Sequence, residues 1–178
     1  MGNCFLNKFI FSLLLTSFFL FSSKELCAFD ESKLEKFKLT KKCEYCDLSD
    51  SKLENLNLQG SNLQNAKLEN ASLAGSDLSP KKMEKTTLYT NLENSNFRNA
   101  NLSGADLTLS KLNNSYFKGA KLKNVILYGS DLSLGNFSGV DFTGADLSEA
   151  TIDDAKLDGA IFCRTIMPSG EKNNSGCD

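Results

Sequence analysis

Cysteine and carboxylate are the reactive groups to weigh first, because the chain has 6 Cys, 22 Asp or Glu and no His among its 178 residues. Without an imidazole, catalysis by a His-dependent triad or dyad is excluded. Cys43-Glu44-Tyr45-Cys46 has the spacing of a thiol–disulfide redox pair or of half a zinc site. A thioredoxin-type pair needs a βαβ context, and no alternation of strand and helix patterns surrounds this motif. A four-cysteine zinc site would need Cys163 and Cys177 beside the first pair. Asp77, Asp106, Asp131 and Asp146 raise the question of paired catalytic carboxylates. Their regular recurrence fits better a solvated ladder that satisfies backbone groups at corners. Glycines do not cluster before a helix as a phosphate-binding loop requires. Lysines are interleaved with acids, so there is no basic stripe for nucleic acid. These patterns predict no catalytic residue, no cofactor and no metal.

The elements that position these groups follow from one period. From Leu48 an apolar residue recurs at every fifth position through Leu53, Leu58, Leu63, Leu68, Leu73, Leu78, Met83 and Leu88. The frame slips by one and resumes at Leu92, running through Phe97, Leu102 and Leu107 to Leu157 and Phe162. Two positions before nearly every centre stands a small residue, such as Ser61, Ala66, Ala105 or Ala145; Leu56 and Lys81 are exceptions. Two positions after, Gly or Asn dominates, as at Gly60, Asn65, Gly104 and Asn124. These residue types tolerate positive φ at tight bends.

A period of five matches neither a helix nor a simple strand. It fits a short extended segment that points one large and one small side chain inward, two positions apart, followed by a corner. If each corner turns the chain by about 90°, four steps close a square coil, and coils stack at about the 4.8 Å inter-strand spacing. Phe97, Phe117 and Phe137 are spaced by 20 residues, as are Phe142 and Phe162, which predicts internal aromatic columns. About six stacked coils hold the Cys43/Cys46 and Cys163/Cys177 pairs roughly 29 Å apart, so one metal cannot join them. Cys43, Cys46, Cys163 and Cys177 are therefore expected to form structural disulfides.

The units Ser-Asn-Leu-Gln-Asn, Ala-Asn-Leu-Ser-Gly, Ala-Asp-Leu-Thr-Leu and Ala-Asp-Leu-Ser-Glu resemble the A(D/N)LxG unit of pentapeptide-repeat proteins. The resemblance covers about 115 of the 178 residues. It implies an all-β fold, a right-handed quadrilateral β-helix. The opening Cys43 to Ser49 and the closing Ile161 to Gly170 also resemble the ends of exported members, including lumenal ones of photosynthetic organisms. Some members are similar to DNA in shape and charge and bind topoisomerases. That reading requires a strongly acidic surface and a cytoplasmic address, and this chain carries a formal charge of only −2.

Residues 9 to 21 form an apolar run of 13 residues between Lys8 and Ser22-Ser23-Lys24. A membrane-spanning helix needs about 20, so the run reads as a signal-peptide core over residues 1–28. Export to a periplasm, a thylakoid lumen or the extracellular space is expected, with no membrane contact after cleavage. Residues 29–45 are expected to cap the first coil, with Ser32 and Glu35 as a capping box and Leu34 and Phe37 on one helix side. The solenoid is assigned to residues 46–164 and a capping tail to 165–178, closed by a Cys163–Cys177 bond. Between Leu78 and Leu92 lie 14 positions of step, either three repeats less one or two repeats with four residues inserted. Lys81 would there occupy an inward position, where an unpaired ammonium is costly, so residues 79–85 are expected to leave the solenoid.

The function expected is a non-catalytic protein-interaction or scaffolding module; a purely structural spacer is the alternative. Outward apolar residues Leu109, Tyr116, Ile126, Tyr128 and Leu134 form the candidate patch for a protein partner. No nucleic-acid partner is expected, and the chain is a monomer or an end-to-end homodimer.

Overall fold

Each five-residue step ends in a turn that its residue types enforce. In the computed structural model, which describes residues 31–177, the carbonyl of an inward centre accepts from the N–H three residues on, as Leu63 does from Ala66 at 3.0 Å. The third residue of the turn is left-handed, with φ of 57° at Asn65 and 69° at Gly104, the geometry a type II turn demands. Ahead of the centre an Asp or Asn oxygen accepts the N–H two residues later, as Asn62 does from Gln64 at 3.1 Å. Corner amides are thus satisfied locally, and the extended part of each step is left free to pair with neighbouring coils.

That pairing is parallel and repeats every 20 residues, producing four walls of single bridges instead of long strands. The first wall carries Lys42, Asn62, Asn91, Lys111, Asp131 and Thr151, and the second Asp47, Lys67, Asn96, Tyr116, Asn136 and Lys156. The third runs from Lys52 through Ser72, Asn101, Lys121 and Asp141 to Ile161, and the fourth from Asn57 through Asp77, Asp106, Ile126 and Asp146 to Ile166. Along each wall an inward centre donates up the stack, as Leu102 N–H does to Lys121 O at 2.9 Å. The ladder therefore reaches from Lys42 to Ile166, a little beyond both edges of 46–164. Cys43 is buried at the first inward position, and Met167 packs against the core at the last.

Inside, the centres Leu48 to Leu78 and Leu92 to Phe142 are buried, so the large side chains fill the tube as their period predicts. Leu102, Leu107, Leu112 and Phe117 take successive walls of one coil. Phe97, Phe117 and Phe137 stack on the second wall with ring centroids 4.6 and 4.8 Å apart. Phe142 and Phe162 stack on the third at 5.6 Å. Stacking at this separation adds to area burial, about 0.5–1.5 kcal/mol per pair.

One part of the repeat reading is corrected. Met83 and Leu88 are not inward centres; they are 54% and 45% exposed. Lys81–Lys82 (β1) and Thr87–Leu88 (β2) pair as an antiparallel hairpin. Bridges across this region join residues 29 apart, such as Asn62 and Asn91, instead of 20, so nine residues are inserted between the fourth wall and the first. Lys81 leaves the interior with the hairpin, as its ammonium requires.

At the start, helix α1 (Glu31–Thr40) buries Leu34 and Phe37, which join the core cluster with Cys43 and Leu48. Ser32 and Glu35 lie within the described residues of α1. Lys41 ends it with φ of 58°, and its N–H returns to Phe37 O at 2.7 Å. At the far end Thr165–Ile166 (β3) pairs with Lys172–Asn173 (β4). The expected signal segment, residues 1–28, lies outside the described residues.

Candidate functional site

Every outward position belongs to one of the four walls, so the chemistry of the surface is set by which residues share a wall. The carboxylates recurring ahead of the centres are held by corner amides. Asp77 accepts the N–H of Ser79 at 3.0 Å, Asp106 that of Thr108 at 2.9 Å and Asp131 that of Ser133 at 3.0 Å. Asp146 accepts from both the N–H and the hydroxyl of Ser148, at 2.9 and 2.5 Å. An oxygen so engaged serves the turn rather than a proton transfer. Among the described residues no three His, Cys, Asp or Glu side chains group as metal ligands do.

Among the described residues the four cysteines form two bonds, Cys43 with Cys46 and Cys163 with Cys177. The first closes the opening corner of the ladder. The second ties the tail to the last coil, where the Gly176 N–H also reaches Phe162 O at 3.3 Å. A Cβ at Gly176 would come within 2.7 Å of Ile161 Cγ2, so the tail passes closely over that coil.

The five apolar residues expected to form one patch are all exposed, but the walls divide them. Ile126 is on the fourth wall with Tyr128 just after it, and Leu109 takes the corner that follows, its N–H on Tyr128 O at 2.8 Å. Tyr116 stands on the second wall, half a coil away, and so faces the opposite side. Leu134 occupies the next corner, below Asp153, to whose carbonyl its N–H donates at 2.9 Å. The physical reason is that ten residues carry the chain around two corners.

A neighbour that the sequence did not reveal is Tyr89, released from the period by the inserted hairpin. With Leu109, Lys111, Gly129 and Asp131 it lines an open depression of about 430 Å³ at the corner between fourth and first walls. Its signal in the sequence was the frame slip at Leu88, which left the phase of that stretch undefined. The Leu109 side chain lies flat over the corner, since a Cβ at Gly129 would meet Leu109 Cδ2 at 2.7 Å. Leu109 is held at φ 53°, a conformation disfavoured for a bulky side chain.

Carboxylates stand beside Tyr128 on the fourth-wall side of this corner. A hydrogen bond to Glu149, then desolvation and the charges of Glu149 and Asp146, hold the Tyr128 phenol above its ordinary pKa. At the hairpin base the reverse applies: burial, and then the nearby Lys81, lower the Lys41 ammonium.

The family model described as Pentapeptide repeats matches in eight copies over residues 43–79, 88–114, 100–139 and 126–167. A solved structure of a pentapeptide repeat protein, Rfr23 from the cyanobacterium Cyanothece 51142, is similar at 26% identity and a TM-score of 0.66, covering 73% of this chain and 97% of its own. QnrB1, a plasmid-mediated fluoroquinolone resistance protein, aligns at 22% identity and a TM-score of 0.46, over 65% of this chain and 59% of its own. HetL, involved in heterocyst differentiation regulation in Nostoc sp. strain PCC 7120, aligns at 18% identity and a TM-score of 0.25, over 82% of this chain and 99% of its own. No curated protein matches the chain.

Proposed function

Because the chain belongs to the pentapeptide-repeat family, a family of β-helix type, we propose that it is a non-catalytic module that binds a protein partner through its walls. The observation that carries this reading is the placement of Ile126, Tyr128 and Leu109 outward on a backbone tied into the ladder at every step. A wall so constrained loses little conformational freedom on binding, which is the condition under which a few exposed anchors give affinity. In this reading the tube is a right-handed quadrilateral β-helix of about six coils, with α1 as its N-terminal cap and residues 165–178 as its C-terminal one. Caps are required because a single coil cannot offset its ordering cost and an open coil edge invites pairing.

The same reading places the chain in an exported compartment, since Cys43–Cys46 and Cys163–Cys177 bonds persist where the surroundings are oxidising. The 13-residue apolar run at residues 9–21 fits the core of a cleaved signal. Crosslinking in living cells followed by mass spectrometry tests the proposal. A reproducible protein partner is expected, and Tyr128→Lys should reduce its recovery while circular dichroism stays unchanged. Recovery of no consistent partner would leave a passive spacer as the better account.

A further inference from the structure

We propose that the corner formed by Tyr89, Leu109, Ile126 and Tyr128 docks a protein segment that presents an apolar side chain flanked by lysine or arginine. This deepens, and rests on, the reading of the chain as an interaction module.

Three observations converge on that corner. Its side chains are apolar and exposed although most of the surrounding wall positions are Asn, Ser or Asp: Tyr89 is 49% exposed, Leu109 40% and Ile126 41%. Tyr89 and Leu109 line one depression that opens onto the first wall, and Ile126 and Tyr128, outside its lining, stand on the fourth-wall side of the same corner, where Leu109 N–H reaches Tyr128 O. Second, Leu109 stands where the turn needs a left-handed residue, a position filled by Gly or Asn at most other corners. The turn alone favours Gly or Asn there; Leu134, Glu149 and Arg164 share the left-handed position, but Leu109 is the one whose methyl lies across Gly129 at the border of the depression. Third, the rim is acidic. Glu93 and Asp131 border the depression, Asp106 and Asp146 flank Ile126 along its wall, and Lys111 is the one cation lining the depression. The Tyr128 phenol, raised first by its hydrogen bond to Glu149, then by desolvation and by the charges of Glu149 and Asp146, stands beside the same carboxylates.

Those features fix the chemistry of the occupant. An apolar side chain fills the depression over Leu109, while neighbouring cations meet the carboxylates and the faces of Tyr89 and Tyr128. A partner with acidic flanks is repelled by the same rim.

Fluorescence anisotropy on the intact chain tests this with three labelled peptides: a Leu-Phe core flanked by lysines, the same core flanked by glutamates, and a serine core flanked by lysines. The first is expected to bind most tightly and to weaken with added salt. Its affinity should fall about tenfold, the effect of losing one anchor, in Leu109→Gly and in Tyr128→Ser. Tyr116→Ser, on the opposite side, should bind as the parent does. Leu109→Asn keeps a residue tolerant of the left-handed turn and controls for folding. Equal binding of the glutamate-flanked or serine-core peptide, or no loss in both Leu109 variants, overturns the proposal. A partner crosslinked through another wall would also overturn it while leaving the interaction reading intact, whereas the absence of any crosslinked partner strikes at that reading itself.

Discussion

Ser61 and Ser76 occupy the same kind of inward position and meet different fates. The Ser76 hydroxyl donates to Leu73 O at 2.7 Å, whereas among the described residues the Ser61 hydroxyl has no partner. Both are buried. An unpaired buried hydroxyl costs about 1–3 kcal/mol, so Ser61→Ala is expected to raise stability by about 1 kcal/mol, seen as a higher denaturant midpoint. Ser76→Ala should bring no such gain. Asp47 and Asp141 contribute to acid sensitivity. Burial alone would raise both carboxyls, but the hydroxyl and N–H of Ser49 and Thr143, with Lys67 and Lys33 beside Asp47 and Lys123 beside Asp141, outweigh it and leave both below the ordinary range. The Lys123 ammonium is 3.0 Å from Asp141. A depressed carboxyl stabilises the fold above the unfolded value, about 3.9 for Asp, and that contribution is lost as pH falls through the folded value. Urea midpoints are therefore expected to drop below about pH 4, and Asp141→Asn should make the drop shallower.

At the scale of elements the hairpin is the irregularity with the clearest arithmetic. A step of 14 residues from Leu78 to Leu92 is one ordinary step of five with nine inserted. Removing Lys81–Tyr89 leaves Leu78-Ser79-Pro80-Thr90-Asn91-Leu92, which restores the five-residue spacing. Pro80 would then stand at the left-handed corner position, which its ring forbids. The deletion combined with Pro80→Gly is expected to fold with an unchanged far-ultraviolet spectrum, while the deletion alone should be less stable by at least about 2 kcal/mol. Loss of folding in both would show that the hairpin is needed to close the coil. The sequence announced an excursion here through Lys81 and the slipped frame, but not its size. Met83 and Leu88 kept the five-residue rhythm by coincidence, and a period alone cannot tell a buried apolar side chain from an exposed one.

Across the whole molecule, the interior behaves as one column whose layers must agree. Phe137 tilts by 43° toward Phe142, with ring centroids 5.8 Å apart, where the second-wall stack meets the third. Gly135 makes this contact possible: an added Cβ would lie 2.5 Å from Phe137 Cε2 and 2.9 Å from Leu132 O. Gly135→Ala is accordingly expected to destabilise the fold by about 1–3 kcal/mol, measured by thermal or urea unfolding. The same change at Gly104 meets no neighbour within 4 Å and carries only the cost of its positive φ of 69°. A glycine in the slot reserved for Ala or Ser is visible in the sequence, but the reason for it depends on how two rings from different walls meet.

Within each unbroken run of repeats, Leu48 to Leu78 and Leu92 to Phe162, the sequence by itself determined the period, the inward and outward faces, the corners and which residues share a wall, because every five-residue unit carries its own turn chemistry. Even the separation of Tyr116 from Ile126 was contained in it, since ten residues turn two corners. Only the tertiary structure decided that the inserted hairpin delivers Tyr89 to the side of Leu109, that Ser61 is left unpaired and that Phe137 must tilt. These depend on contacts between coils, where neighbours are 20 or 29 residues apart, and no local rule reaches that far once an insertion has broken the phase.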